Sequence, residues 1–405
     1  MPLSIDRGDG AEHPGPARDT GQLETNIRAL KRVAASARGA REGRPDAGRD
    51  VFEDLFVLEL ANNHWGSLAR GRAIVSDFAA VVHANGVKAA IKLQFRDVNS
   101  FIHKDFRASQ DIRYVKKVSD TRLPWNELGA LVDAVRDAGL VTMSTPFDEI
   151  SVDRCVEFGV EILKIASSDL RDRSLIDRIL AAGKPTIMST GGSALAEVDE
   201  LVERFRSRRV PLAINHCVSI YPSEDDELEL NQVDFLRNRY PDTVIGFSTH
   251  EHTDWRTSIA IAYAKGARTF ERHIDIDRDG IPVSAYCTLP HQADEWFKAF
   301  RSAKRMCGAS GRAKRVPPEK EVRYLDALVR GVYARRPLAA GEILSGENTY
   351  LAIPLLQGQM SCRELMDGAA LLAPVAADGA IDFDAVRAAE PEADGGLIRA
   401  RGYAR

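Results

Sequence analysis

A closed (β/α)8 barrel of the TIM type, followed by a small β-rich domain, is the fold class this 405-residue sequence predicts. Two observations predict it. From residue 51 onward, short apolar runs alternate eight times with helix-patterned segments over about 255 residues, which is the count and size of such a barrel. Every run ends in polar residues, at the face where barrels of this kind carry their chemistry. A doubly wound open sheet is the alternative, but it would have fewer strands and a glycine-rich first turn.

The expected strands are Leu55–Leu60, Ala89–Phe95, Leu140–Thr145, Glu161–Ser167, Pro185–Thr190, Leu212–Cys217, Thr243–Ser248 and Ala267–Glu271. Helices are expected at Arg70–Ala84, Trp125–Ala138, Ser151–Phe158, Asp172–Ala182, Leu195–Arg206, Asn231–Arg239, Trp255–Lys265 and Ala293–Met306. The seventh unit shows the logic. Ile259, Ala260, Tyr263 and Ala264 fall at helical spacing between two strand-like runs. Strand, helix, strand implies parallel strands and a right-handed crossover.

The flanks differ in composition. Residues 1–48 are rich in Gly, Pro, Asp, Arg and Ala, too poor in large apolar residues to offset their ordering entropy. They are expected to be a disordered extension with a short helix near Leu23–Ala37. The barrel is assigned to 49–308 and a basic, Pro-containing linker to 309–325. Residues 326–388 carry short apolar runs (Gly331–Ala334, Tyr350–Ile353, Ala370–Val375) between Gly and Pro turns, a small β domain. A loose polar tail follows at 389–405.

Composition excludes several classes. Hydrophobic content of 44% and charged content of 28% are ordinary for a globular protein. A net charge of -4 argues against nucleic acid. No run reaches the roughly 18 apolar residues of a membrane span. Five scattered cysteines with no CxxC pair suggest neither a disulfide framework nor a zinc knuckle, and the cytoplasm is the expected location.

The strand ends carry the functional signal. Strand 1 ends in Glu59 and continues to His64. Strand 2 alternates Lys92 and Gln94, so both face one way. Strand 3 ends at Thr145, strand 4 carries Lys164 and then Ser167, and strand 5 ends Ser189-Thr190-Gly191. Strand 6 runs into His216, Ser219 and Tyr221, and strands 7 and 8 give Ser248, His250, Glu271 and His273. Lysines with Ser and Thr hydroxyls suit a phosphate. Two histidines ending adjacent strands, with carboxylates nearby, suit a divalent metal such as Mn, Fe, Co or Zn. A metal beside an anion site can polarise a carbonyl for attack. The plain readings are a loop-capping His64, a satisfied core His216, a solvent-exposed His252 and helix-capping hydroxyls. Capping does not explain two lysines in apolar strands.

These residues carry a resemblance. Glu59-Leu-Ala-Asn-Asn-His-Trp-Gly66, Lys92-Leu-Gln94, Ser144-Thr-Pro-Phe147, Lys164-Ile-Ala-Ser167, Ser189-Thr-Gly191, His216 to Pro222, Phe247-Ser-Thr-His250 and Glu271-Arg-His273 resemble, in order, the strand motifs of the sialic acid synthase family. Arg330-Gly-Val-Tyr and Leu338 to Ser345 resemble that family's antifreeze-like (SAF) domain. The resemblance implies metal-dependent condensation of phosphoenolpyruvate with an N-acyl hexosamine to a nonulosonic acid. It implies metal ligation by His250 and His273, with Mn2+ first and Mg2+ or Co2+ as alternatives. Phosphoenolpyruvate is implied at Lys92, Thr145, Lys164, Ser167, Ser219 and Ser248, acids near metal and sugar at Glu59 and Glu271, and a sugar contact at Tyr221. It also implies a homodimer whose SAF domains are swapped over the partner barrels.

The chain departs from the family pattern at Thr249 and Ser284, each where an acid is expected, at Ser219 where Asn is expected, and at Ile353 where the SAF arginine is expected. Glu251 could be the first acid displaced by two positions. An altered acceptor sugar is therefore expected. Two other readings stay open. A synthase for a different, phosphorylated sugar would need an extra basic pocket and usually lacks an SAF domain. A barrel that has lost catalysis would bind a sugar or a partner protein.

Overall fold

The computed structural model describes residues 50–308, 314–364 and 368–387. Eight parallel strands close into one barrel in chain order. They are β1 (Leu55–Ala61), β2 (Lys88–Phe95), β3 (Val141–Pro146), β4 (Ile162–Ile165), β5 (Thr186–Ser189), β6 (Leu212–Cys217), β7 (Val244–Ser248) and β8 (Thr269–His273). Leu55 of β1 lies opposite Lys88 of β2 on one side and Thr269 of β8 on the other, which closes the ring. Every expected strand overlaps its counterpart, and the differences are confined to the ends.

The outer layer comprises α1 (Leu68–Asn85), α2 (Val98–Phe101), α3 (Arg113–Asp120), α4 (Trp125–Asp137), α5 (Glu149–Glu157), α6 (Arg173–Ala182), α7 (Leu195–Arg208), α8 (Asn231–Arg239), α9 (Trp255–Lys265) and α10 (Pro290–Cys307). Ser67, Asp148, Asp172 and Asp254 cap α1, α5, α6 and α9 by accepting N–H bonds from the first turns. The sequence reading expected one helix between β2 and β3, whereas α2 and α3 precede α4 as an insertion. Val118 is the one buried residue of α3, so no apolar stripe announced it.

Alternate strand residues fill the barrel in layers. Leu55, Val57, Ala90, Met143, Ile162, Ile187, Ala213 and Val244 form an apolar plug at one end. The next inward positions along the strands are Glu59, Lys92, Lys164, Ser189, Asn215 and Gly246. The interior thus turns polar toward the C-terminal mouth. Gly246 is required there, because a Cβ would stand 1.8 Å from Thr269 Oγ1 and 2.2 Å from Asn215 Oδ1. Outside, Phe56 packs edge-on to Trp296, Phe297 and Phe300 of α10 at 4.7–5.0 Å between ring centres. That aromatic cluster seals the β1–β8 seam.

A second compact unit follows, described from residue 314 onward. It contains α11 (Glu319–Asp326), a helix inside the stretch expected to be linker. β9 (Gly331–Ala334) pairs antiparallel with β10 (Thr349–Ala352), and β11 (Ala370–Leu371) with β12 (Val386–Arg387). Val332, Leu338, Leu344, Met360, Leu371 and Ile381 form its own small core. The run expected at Ala370–Val375 is strand only over its first two residues. The expectations for 1–48 and 389–405 fall outside the described residues. Among the described residues, no helix is long and apolar enough to cross a membrane.

Candidate active site

The sequence-predicted site residues converge on one cavity of about 900 Å³ at the C-terminal mouth of the barrel, and all twelve line it. On its floor, Lys164 Nζ donates to Ser189 Oγ (2.5 Å) and to both oxygens of Glu271 (3.1 and 3.2 Å). Lys92 Nζ donates to Glu271 Oε1 (3.0 Å) and pairs with Glu59. Ser248 Oγ donates to the same Glu271 oxygen at 3.1 Å. Two lysines therefore face two carboxylates in a buried layer. Burial would raise the Glu271 carboxyl, but Lys164 and Lys92 hold it well below the usual range. Burial lowers Lys92 to about 8 against the attraction of Glu271.

Beside this layer stand hydroxyls. Thr145 lines the cavity, and its Oγ1 is buried with no hydrogen-bond partner. Ser167 Oγ accepts the Gly191 N–H at 3.0 Å. A Cβ at Gly191 would lie 2.2 Å from Ser219 Oγ and 3.0 Å from Ser167 Oγ, so glycine alone lets these two hydroxyls approach.

The imidazoles occupy the opposite wall. His250 Nδ1 bonds the Val218 carbonyl at 2.9 Å, which leaves Nε2 as its free ring nitrogen. Its ring centre lies 5.5 Å from that of His273. Burial lowers His250 to about 4. Burial, with His250 and Lys92 alongside, holds His273 well below its ordinary value. Both rings are neutral at pH 7, the state a metal ligand requires. Tyr221 lies tilted against His250 with ring centres 3.9 Å apart, and Tyr286 stands edge-on to His273 at 5.2 Å. Among the described residues, no His, Cys, Asp or Glu joins them in a group of three. The nearby carboxylates expected to help are instead held by the lysines. The donor set suits a divalent metal with two protein nitrogens and the rest of its shell supplied by water or substrate.

Buried ion pairs fix the loops that carry these groups. Arg272 donates to the Glu251 carbonyl and to Thr288 Oγ1, each at 2.8 Å, and pairs with the fully buried Glu251 carboxylate. Glu251 also accepts from Thr249 and Ser258 and does not line the cavity. The idea of an acid displaced by two positions is corrected, since this acid clamps the loop after β7. Arg70 ties the loops after β1 and β8 together, donating to Asn63 O (2.8 Å), Ile276 O (2.9 Å) and Asp275 Oδ1 (2.8 Å).

Of the other histidines weighed in the sequence, none lines the cavity. His216 Nε2 bonds the Leu228 carbonyl at 2.7 Å, as the plain reading expected. His252, expected in solvent, is half-buried with an unpartnered Nδ1. Ser284 and Ile353 are exposed. His64 is buried and its Nδ1 accepts the Gly66 N–H at 3.1 Å. Burial lowers its pKa from 6.5 to about 4. A depressed histidine leaves stability intact above pH 6.5 and removes it as pH falls toward 4, by about 2–3 kcal/mol at pH 4.5. His64→Asn keeps an acceptor without the titration. Its melting temperature should fall less than the parent's between pH 7 and pH 4.5, and equal falls would clear His64 of the effect.

The sequence reading missed Arg96, Tyr286, and the Arg113, Tyr114 and Lys117 wall that α3 contributes. Arg96 had a signal, because it continues the inward alternation of Lys92 and Gln94. Tyr286 sits in a loop with no period to read.

Polar groups gathered at the C-terminal mouth of a closed βα barrel define a barrel-mouth enzyme. Sequence comparison then narrows the class. Residues 80–312 match the model of the NeuB family, and the chain belongs to that family. A solved structure from Chromobacterium violaceum, assigned as spore coat polysaccharide biosynthesis protein E, is 36% identical. It has a TM-score of 0.79, with 83% of this chain and 100% of that one covered. The spore coat polysaccharide biosynthesis protein SpsE of Bacillus subtilis is 26% identical over 76% of this chain and 86% of its own length. The pseudaminic acid synthase of Campylobacter jejuni is 25% identical over 73% of this chain and 85% of its length.

Proposed function

We propose that the chain condenses phosphoenolpyruvate with an N-acyl hexosamine-type aldehyde to give a nonulosonic, sialic-acid-like 2-keto-3-deoxy acid and phosphate. The observation that carries this reading is the floor of Lys92, Lys164 and Glu271 beside the unpartnered Thr145 hydroxyl. Family relatives named pseudaminic acid synthase and N,N'-diacetyllegionaminic acid synthase support it.

The electron pair of the enol C2=C3 bond forms the new bond to the aldehyde carbon, whose oxygen takes a proton. Water adds at C2 and loses one proton; the C2–O bond to phosphate then breaks, and the remaining hydroxyl proton leaves with the phosphate as the ketone forms. Lys92 and Lys164 hold the phosphate by charge, with Ser167, Ser219, Ser248 and Thr145 as hydrogen-bonding partners. Gln94 and Tyr221 orient the sugar. Glu59 takes the proton lost by the water, and Glu271 keeps the lysines charged in a layer that disfavours charge. His250 and His273 would hold the divalent metal, Mn2+ foremost, which when bound polarises the aldehyde. The small C-terminal unit is read as an SAF domain, and the active form as a homodimer.

The test is phosphate release from phosphoenolpyruvate with Mn2+ and a panel of N-acylated and plain hexoses. Release that depends on one sugar would establish the reaction and name the acceptor. No release from a broad panel, together with no Mn2+ binding, would move the chain to a non-catalytic sugar- or protein-binding role.

A further inference from the structure

The charges around the cavity do not balance. On the floor, Lys92 and Lys164 meet Glu59 and Glu271. The third carboxylate of the lining, Glu197, pairs with Arg171 at 2.6 Å. Three cations remain. Arg96, Arg113 and Lys117 line the cavity, and among the described residues none of them has a carboxylate within ion-pair distance.

Arg96 is the most constrained of the three. It follows β2 directly, on the inward side of Lys92 and Gln94. Its guanidinium lies 3.6 Å from the Phe147 ring centre. One terminal nitrogen donates to Gln94 Oε1 at 3.0 Å and the other to Tyr114 Oη at 2.9 Å. Its Nε is buried with no partner at all. Asp169 and Asp148 act on this guanidinium only from beyond ion-pair distance, so a rigid, partly desolvated cation stands at the cavity without a direct carboxylate partner and is suited to attract an anion. Arg113 and Lys117 come from the same short helix as Tyr114, so the insertion between β2 and α4 delivers both the second layer of charge and the clamp on Arg96. The cavity, at about 900 Å³, is near the upper end of the usual 300–1,000 Å³ range for small-molecule sites, so it has room beyond a three-carbon phosphate.

We propose that Arg96, Arg113 and Lys117 form a second anion subsite at the barrel mouth, which takes a phosphate or carboxylate group carried by the acceptor sugar. Naming the occupant as the acceptor rests on the condensation reading above. This is the extra basic pocket that a synthase for an acidic sugar requires, supplied by an insertion that shows no apolar period in the sequence.

Calorimetry on the full chain at fixed ionic strength tests it, using N-acetylmannosamine, its 6-phosphate and its 6-carboxylate, each with and without saturating phosphoenolpyruvate. The parent should bind at least one acidic sugar about tenfold or more tightly than the neutral one, and Arg96→Ala should erase that preference, a loss of about 10- to 100-fold. Whichever acid is preferred identifies the group. Arg96→Lys should recover only part, since it restores charge without the planar fork. Should Arg96→Ala fold poorly, Lys117→Ala, at an exposed position, should still weaken acidic sugars alone. A parent that binds no sugar, or binds neutral and acidic sugars alike, overturns the subsite. So does an Arg96→Ala protein whose defect lies in phosphoenolpyruvate binding. Phosphate release is followed in parallel. Acid preference without release would keep the subsite and sink the condensation reading, while release with a neutral sugar and no preference would do the reverse.

Discussion

Glutamine in place of Glu271 is expected to destabilise the barrel by about 3–5 kcal/mol, the cost of leaving a buried cation without its partner. At the usual slope for a domain of this size, that lowers the melting temperature by about 10 °C. The reasoning is in the contacts. Glu271 is 6% exposed and bonds Lys92, Lys164 and Ser248. Lys92 keeps Glu59 in the variant, but Lys164 is left with Ser189 Oγ alone. A glutamine oxygen can accept from one lysine, yet its amide group then faces the other with donors. The floor gains a net positive charge, so an anion should now supply what the carboxylate did. Inorganic phosphate and phosphoenolpyruvate should therefore raise the melting temperature of Glu271→Gln more than that of the parent. Melting curves titrated with phosphate decide the matter. A variant within about 2 °C of the parent, where 1 kcal/mol shifts the midpoint by 2–4 °C, would show that the carboxylate is not the counter-ion. Equal phosphate effects on both proteins would show that the lysines are not the anion site.

The same layer explains what the sequence made legible. A barrel interior alternates along each strand, so a lysine at an inward position of an apolar run must have a reason to be there. Lys92 and Lys164 announced themselves in this way, as did His250 and His273 by ending adjacent strands. Strand positions were readable because parallel strands covered on both faces are continuous apolar runs. The insertion was not readable. α3 rests on Val118 alone, so its sequence looks like surface whether or not it lines a cavity. Whether the acid was lost or moved to Glu251 was undecidable for a related reason. Sequence shows an acid two positions from the expected place, but only packing reveals that Arg272 pulls it away from the cavity into a fully buried pair. Pairing partners distant in the chain, such as Arg70 with Asp275, leave no local trace.

Alanine at His250 is expected to leave the protein folded and to lower phosphate release by about 10³-fold or more, the several kcal/mol a polarising metal supplies. Folding loses the bond to the Val218 carbonyl, about 1 kcal/mol. Turnover loses more, because among the described residues His250 and His273 are the two imidazoles lining the mouth, and one of them is then gone. The effect should appear before chemistry. Mn2+ should raise the melting temperature of the parent as its concentration passes the dissociation constant, and should leave His250→Ala unmoved. Phosphoenolpyruvate should still stabilise the variant, since Lys92 and Lys164 are untouched. His273→Ala should match His250→Ala, and the double variant should be no worse than either, because the pair acts as one unit. An Mn2+ response that survives in either single variant would separate the imidazoles from the metal. Their neutrality and their tilted and edge-on contacts with Tyr221 and Tyr286 would then have to serve the sugar directly.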